Sequence, residues 1–216
     1  MRIIVLCIPV LFACQVARSQ IKALTENGRE VILYDNGTWK YSGDSSNAST
    51  AGTDSLATNE HRFAKPVSSS FMVRSNNFNV GVYIDPTKWT FKKHGENEDI
   101  PEYHFNMKQG DGYGMMITER TSISIENMRQ IALINGRKAS ADIKETFAEY
   151  RMVNNKKILC MKMDGTIQGI RFVYFGYYYS NAKGTVQLLT YTSQQLFEKM
   201  EKDLENFLNG FVETDK

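Results

Sequence analysis

The stretch from Gln168 to Ser180 carries apolar bulk on both parities of one extended run. Ile170, Phe172, Tyr174 and Tyr178 fill even positions; Val173, Phe175, Tyr177 and Tyr179 fill odd ones. Successive side chains of a strand point to opposite faces of its sheet, so both faces of this strand must be covered. The preceding run, Lys156 to Met163, repeats the pattern, with Ile158 and Cys160 opposing Leu159, Met161 and Met163. Asp164-Gly165 predicts the hairpin turn between the two. Asn181 to Gly184 predicts the next turn, and Thr185 to Tyr191 the returning strand, with Val186 and Leu188 against Leu189 and Tyr191. Thr192 or Ser193 then caps a helix, with Gln195 placed for a capping box. Leu196, Phe197, Met200, Leu204, Phe207, Leu208 and Phe211 recur on one face of that helix, and Gly210 marks its stop. One sheet face is thereby accounted for, and the other calls for a second helix.

That helix is predicted after Ser124, where Ile125, Met128, Ile131 or Ala132, and Ile134 share a face and Asn135-Gly136 ends it. Before it come a strand from Asn79 to Asp85, a turn at Asp85-Pro86-Thr87 and a short strand or loop edge at Trp89-Thr90-Phe91. A polar loop, His94 to Pro101, follows. Glu102 to Lys108 and Gly112 to Arg120 form a hairpin across Gln109-Gly110-Asp111. Glu145 to Val153, with Asn154-Asn155 as turn, brings the chain to its central strands. The expected class is α+β: an antiparallel sheet with helices on both faces, an α/β/α sandwich.

The chain begins with an apolar run from Ile3 to Cys14, too short for a bilayer that needs roughly 20 residues. It reads as a signal peptide covering 1–19, with Ala17-Arg18-Ser19 offering small residues to a leader peptidase and Gln20 as the mature N-terminus. Leu11-Phe12-Ala13-Cys14 competes as a lipobox, and acylation of Cys14 would tether the protein to a membrane. Either way the expected location is extracytoplasmic, periplasmic or secreted.

The chain has 26 basic and 24 acidic residues; loss of Arg2 and Arg18 with the leader leaves 24 of each. The mature chain carries no basic excess and no Lys/Arg stripe with interleaved aromatics, which argues against nucleic acid as partner. Cleavage before Gln20 also leaves Cys160 as the one remaining cysteine, so no intramolecular disulfide staples the fold. A globular part of about 140 residues buries close to two thirds of its unfolded surface, enough for one domain without staples.

From Gln20 to Tyr41 the sequence predicts a small β-hairpin. Val31, Leu33 and Tyr34 lead into Asp35-Asn36-Gly37, and Thr38, Trp39 and Tyr41 lead out. An isolated hairpin is marginal, so Tyr34 and Trp39 are candidate contacts to the main domain, a second copy or a partner. Between Ser42 and Asn59 every residue but Leu56 is Ser, Thr, Asn, Asp, Gly or Ala. Such a stretch buries too little to offset its ordering entropy and reads as a flexible linker. Carried to Ser70, it allows an end separation of roughly 30 Å. The main domain then spans 71–211, with 212–216 as a tail.

Two resemblances follow from these stretches. GREVILYDNGTWKY resembles a segment that follows the leader in many secreted proteins of Gram-negative bacteria. The strand and helix order of Phe71 to Phe211, with YIDPTKW near its start, YRMVNNKKILC, the GIRFVYFGYYY strand and the terminal helix, resembles the PsbP-like fold. That fold is shared by the extrinsic photosystem II protein and a small Ran-binding nuclear protein. The resemblance implies binding or assembly roles, carries over no site residue, and fold alone does not fix function.

A search for chemistry returns little. His61, His94 and His104 have no second histidine at ligand spacing and read as surface or loop residues. Cys160, between Leu159 and Met161, reads as a buried inert thiol. Gly110-Asp111-Gly112-Tyr113-Gly114 lacks the lysine and hydroxyl of a phosphate loop and reads as a hairpin turn. Glu96, Glu98 and Asp99 lack the spacing of a calcium loop and read as a solvated acidic loop. No cofactor or metal site is expected. Tyr177, Tyr178 and Tyr179 offer a stacking surface for sugar or peptide only if exposed, and alternation turns at least one inward, leaving Tyr177 and Tyr179 as candidates with Tyr34 and Trp39. Two functional classes follow. The first is a non-catalytic extracytoplasmic binding or assembly module for a protein or envelope component, touching membrane only if Cys14 is acylated. The second is a cell-envelope hydrolase using a pair of carboxylates such as Glu102, Asp111 or Glu119, one with a raised pKa. A ligand carrier is a weaker third.

Overall fold

The computed structural model describes residues 21–25, 30–33, 39–42, 56–94 and 101–214. The leader, Cys14, Tyr34 and the acidic loop residues Glu96, Glu98 and Asp99 lie outside them. The chain divides into two units, one drawn from the first 48 residues and one containing 49–216. The first holds a three-stranded antiparallel sheet, β1 (Ile21–Leu24), β2 (Glu30–Leu33) and β3 (Trp39–Tyr41), in that order. The expected hairpin is β2–β3, in register Leu33↔Trp39 and Val31↔Tyr41, and β1 adds a strand that the sequence had not announced. Val31 is its buried centre.

The second unit comprises β4 (Thr58–Phe63), β5 (Phe71–Arg74), β6 (Val80–Ile84), β7 (Trp89–Lys93), β8 (Tyr103–Met107), β9 (Tyr113–Glu119), α1 (Ile125–Ala139), β10 (Lys144–Val153), β11 (Lys156–Ile167), β12 (Ile170–Asn181), β13 (Gly184–Ser193), α2 (Gln194–Leu208) and β14 (Phe211–Glu213). Eight strands form one sheet in the order β4-β10-β11-β12-β13-β9-β8-β7, and β14-β6-β5 form a small second sheet. The class is α+β, and the large sheet is mixed, because β4 lies parallel to β10 while its other pairings are antiparallel.

β4 corrects the expected linker. Thr58–Phe63 is a polar strand with little to bury, and its anchors come from far along the chain. Asn59 Nδ2 donates to both carboxylate oxygens of Glu149, at 3.1 and 3.3 Å, and the Arg151 guanidinium lies 4.4 Å over the Phe63 ring. Leu56, read as linker, packs into the apolar cluster beside α1, and Ser69 is buried.

Three turns also move. The β11–β12 reversal falls at Gln168-Gly169, where φ is +51° and +81°, rather than at Asp164-Gly165. Asp164 and Gly165 are paired strand residues opposite Val173 and Phe172. A glycine is needed at 165 for another reason: a Cβ there would stand 2.7 Å from Ser140 Oγ. Likewise Asn135-Gly136 does not stop α1, which runs to Ala139; Gly136 admits the Ile143 side chain, 2.8 Å from a Cβ placed there. Phe211 leaves the helix and opens β14, paired with Val82, because Asn209 and Gly210 end α2. The helix N-caps are Ser124 and Ser193, as read, but neither side chain makes a capping hydrogen bond.

The core follows strand alternation closely. Ile158 and Cys160 pack in one cluster with Phe175, Tyr177, Val186, Leu188 and the α2 residues Met200, Leu204, Phe207 and Leu208, joined by Val80, Val82 and Ile84 of the small sheet. Leu159, Met161, Met163, Tyr178 and Leu189 pack in a second cluster with Met128 and Ala132 of α1. Asn154-Asn155 supplies the β10–β11 turn with φ of +46° and +64°. Asn154 ties three chain segments together: Oδ1 accepts from the Lys65 N–H at 2.9 Å, and Nδ2 donates to the Asn209 and Phe211 carbonyls at 2.9 and 2.7 Å.

Candidate functional site

The tyrosines singled out from sequence are core residues. Tyr177 is 1 % exposed and Tyr179 is 8 % exposed, with Tyr178 between them equally sealed, so none of the three offers a stacking surface. A long strand flanked by paired strands on both sides, with helical cover, turns consecutive aromatics inward on either face. Tyr177 instead belongs to a buried polar knot. Its hydroxyl donates to Asn209 Oδ1 at 2.8 Å and accepts from Arg151 Nη1 at 3.1 Å, while Arg151 also donates to Glu149 at 2.5 Å and Glu205 at 2.9 Å. Every member finds a partner, which is what burial of charge requires. Burial pushes the Tyr177 hydroxyl above its ordinary range against the opposing pull of Arg151.

A row of partly exposed aromatics lies elsewhere on the large sheet. Tyr191 of β13 stands between Tyr113 of β9 and Tyr174 of β12 in the sheet register. Its ring stacks on Tyr113 with centroids 5.3 Å apart and planes 23° apart, meets Tyr174 at 5.5 Å, and meets Phe172 edge-on at 6.4 Å. These four belong to the sheet face of Leu159, Met161 and Leu189. α1 packs chiefly on β11 and β12 of that face, and Tyr113, Phe172, Tyr174 and Tyr191 remain partly exposed. Burial raises the pKa of Tyr174 and of Tyr191, and each is raised further by a neighbouring tyrosine. Neutral hydroxyls on a half-wet aromatic surface give a platform that stacks on a flat or apolar group and hydrogen-bonds at its rim. The sequence signal was present in Tyr174 and Tyr191. What it lacked was the register that brings Tyr113, 61 residues from Tyr174 and 78 from Tyr191, alongside.

Trp39 takes its place in β3, opposite Leu33. Cys160 is buried, and burial pushes its thiol up to about 12, as expected of an inert core residue. Gly110 to Gly112 lie in the β8–β9 turn, with Gly110 at φ +95°, while Tyr113 and Gly114 open β9. The three carboxylates considered for hydrolysis are not brought to one place. Glu102 accepts from Ser75 Oγ at 2.7 Å, the Asn76 N–H at 2.7 Å and Thr118 Oγ1 at 2.5 Å, a clamp on the loop after β5. Asp111 lies at the other end of β9, about 20 Å away for a strand of that length. Glu119, next to Thr118, is exposed on the last residue of β9. A shallow dent beside α2 holds two other carboxylates, Asp85 and Asp203, around Lys88, but its ≈ 20 Å³ is far below the several hundred Å³ of a ligand pocket. Lys88 donates to Asp203 at 2.6 Å, and the Thr87 hydroxyl holds the Asp85 pKa below its ordinary value.

The histidines require a correction. His61 meets Phe63 edge-on, but His94 and His104 are neighbours: Nε2 of one lies 2.8 Å from Nδ1 of the other, with rings perpendicular. Ten residues of separation hide a cross-strand contact, made because Lys92 pairs with His104 and the His94 N–H bonds to the Glu102 carbonyl. Among the described residues no three His, Cys, Asp or Glu converge as a metal cage, and no helix is long and apolar enough to cross a membrane.

No family model matches the chain, and no curated protein matches it. Solved structures do. The chain is similar to the cyanobacterial PsbP of Synechocystis sp. PCC 6803, with a TM-score of 0.51 at 8 % identity, over 68 % of this chain and 94 % of that one. A protein of unknown function from Pseudomonas aeruginosa matches with a TM-score of 0.44 at 7 % identity, over 68 % of this chain and 98 % of that one. A structure from Bacteroides thetaiotaomicron matches with a TM-score of 0.46 at 10 % identity, over 68 % of this chain and half of that one. The fold expected from the YIDPTKW, YRMVNNKKILC and GIRFVYFGYYY stretches is the one found: the chain has a PsbP-like fold.

Proposed function

We propose that this protein is a non-catalytic, extracytoplasmic binding or assembly module, and that its binding surface is the tyrosine face of β9, β12 and β13. The observation that carries the reading is the Tyr113–Tyr191 stack with Tyr174 and Phe172 beside it, four large aromatics left half-wet side by side across three neighbouring strands. Partly exposed aromatic clusters of this kind are characteristic of interface centres rather than of solvent-facing sheet. The PsbP-like fold supports a binding or assembly role without naming a partner. The leader-like first 19 residues support export, with Cys14 acylation as the route to a tether. In this reading the main unit is an α/β/α sandwich whose α1 side is left partly open for the partner, and Tyr34 and Trp39 offer a second contact from the N-terminal unit.

The test is a photo-crosslinking amino acid at position 191, with the exposed Lys138 as control position, in the native envelope fraction. A discrete adduct at 191, absent at 138 and lost on Tyr113→Ala, supports the surface. Identical adduct patterns at both positions remove it. Deleting 20–41 asks separately whether the N-terminal unit contributes: an unchanged adduct assigns binding to the sheet alone.

A further inference from the structure

We propose that His94 and His104 form a two-histidine site for a divalent transition-metal ion of tetragonal preference, Cu²⁺ first. The two ring nitrogens that face each other, His94 Nε2 and His104 Nδ1, are 2.8 Å apart. Metal–imidazole bonds of about 2.0 Å close on two nitrogens at that separation with an angle of about 90°. That is the cis angle of a square-planar or tetragonal ion; a tetrahedral ion would want the nitrogens about 3.3 Å apart. At equal ligands the affinity order among divalent ions also peaks at copper.

The pair is preset for a cation in a second way. In a ring-to-ring hydrogen bond one imidazole N–H donates to the lone pair of the other ring. Loss of that hydrogen to the other nitrogen of the donor ring turns both facing nitrogens into ligands, with no net proton released. The backbone fixes both rings: the His94 N–H bonds to the Glu102 carbonyl at 3.0 Å, and His104 is held between Lys92 of β7 and Met115 of β9 in register. Lys92, paired with His104 across β7 and β8, brings positive charge beside the pair, and its repulsion of a cation works against the site. With two protein ligands the remaining positions fall to water, so the ion is held openly and exchangeably.

The experiment titrates the purified full-length protein with Cu²⁺ alone, followed by electron paramagnetic resonance and calorimetry. The first equivalent is expected to give a tetragonal signal with splitting from two equatorial imidazole nitrogens. His94→Ala and His104→Ala each weaken that equivalent by at least about tenfold, while His61→Ala leaves it unchanged. Should either alanine variant unfold, His94→Asn keeps a hydrogen-bonding side chain at the strand end and still removes copper. A first equivalent indifferent to His94 and His104, or lost with His61, overturns the site.

Discussion

Tyr177 and Tyr174 stand three residues apart on β12 and meet opposite fates. On the side of Tyr177, α2 and the small β14-β6-β5 sheet close over the strands, and even a hydroxyl is sealed between Asn209 and Arg151. On the side of Tyr174, a helix of the same length packs chiefly on β11 and β12, and the aromatic row across β12, β13 and β9 stays half-wet. The apolar load of the two sides is alike in sequence. What separates them is how far the covering element reaches, so burial on one side is structural while exposure on the other is available for binding.

The comparison breaks most violently on the closed side. Tyr177→Ala removes a fully buried ring and leaves the Arg151 knot one partner short, and is expected to cost about 4 kcal/mol in urea unfolding. Tyr177→Phe keeps the ring and loses only the hydroxyl bonds, so about 1–2 kcal/mol is expected. If the two variants proved equal, the hydroxyl network and not packing would be what holds this face.

Asn154 tests how the closed side is tied shut. Asn154→Ala gives up three hydrogen bonds and places alanine at a φ of +46°, for about 2–3 kcal/mol. Asn154→Gly relieves the backbone and still loses the bonds, so it should recover only the smaller part. Hydrogen exchange at β14 and the last turn of α2 should quicken in both variants.

Acid loosens the same corner. For Glu213, burial pulls its pKa upward, but hydrogen bonds from Lys156 and Asn181 outweigh this and hold it below 4.5. A carboxylate with a depressed folded pKa contributes stability that is present above its unfolded pKa and lost as pH falls through the folded one. Unfolding midpoints should therefore decline below about pH 4.5, and Glu213→Gln should flatten part of that decline. An acid limb identical in the variant would assign the decline to other groups, Asp142 first, whose carboxylate the Ser140 hydroxyl and Thr166 hold low.

Much of the closed side was legible beforehand, because it is written in local periodicity: the two-parity strand, the α2 stripe, the Asn154-Asn155 turn. What escaped was set by register. β4 is a polar hexamer whose partners, Glu149 and Arg151, lie some ninety residues on, and nothing in TNEHRF distinguishes it from linker. Asp164-Gly165 is a better turn dipeptide than Gln168-Gly169, yet glycine was required at 165 to admit Ser140, and the turn formed where the strands ran out. The tyrosine face and the His94–His104 pair are both cross-strand assemblies, and sequence shows their members only one at a time.

The smallest stability effect bears most on function. Tyr191→Ala removes the middle ring of the row, but the side chain is already partly wet and its neighbours Tyr113, Tyr174 and Phe172 can settle toward the gap. About 1 kcal/mol is expected in urea, a fraction of the Tyr177→Ala loss, since less area leaves water on folding at this position. The same substitution takes away the ring on which the other three converge, so partner capture through this face should fall well beyond what so small a stability change explains. Tyr191→Phe sharpens the point. It keeps the stack and deletes one rim hydroxyl, so binding carried by stacking survives it and binding carried by hydrogen bonds does not. A Tyr191→Ala protein as unstable as Tyr177→Ala would show the two faces to be one continuous core, and the distinction between structural and available aromatics would go with it.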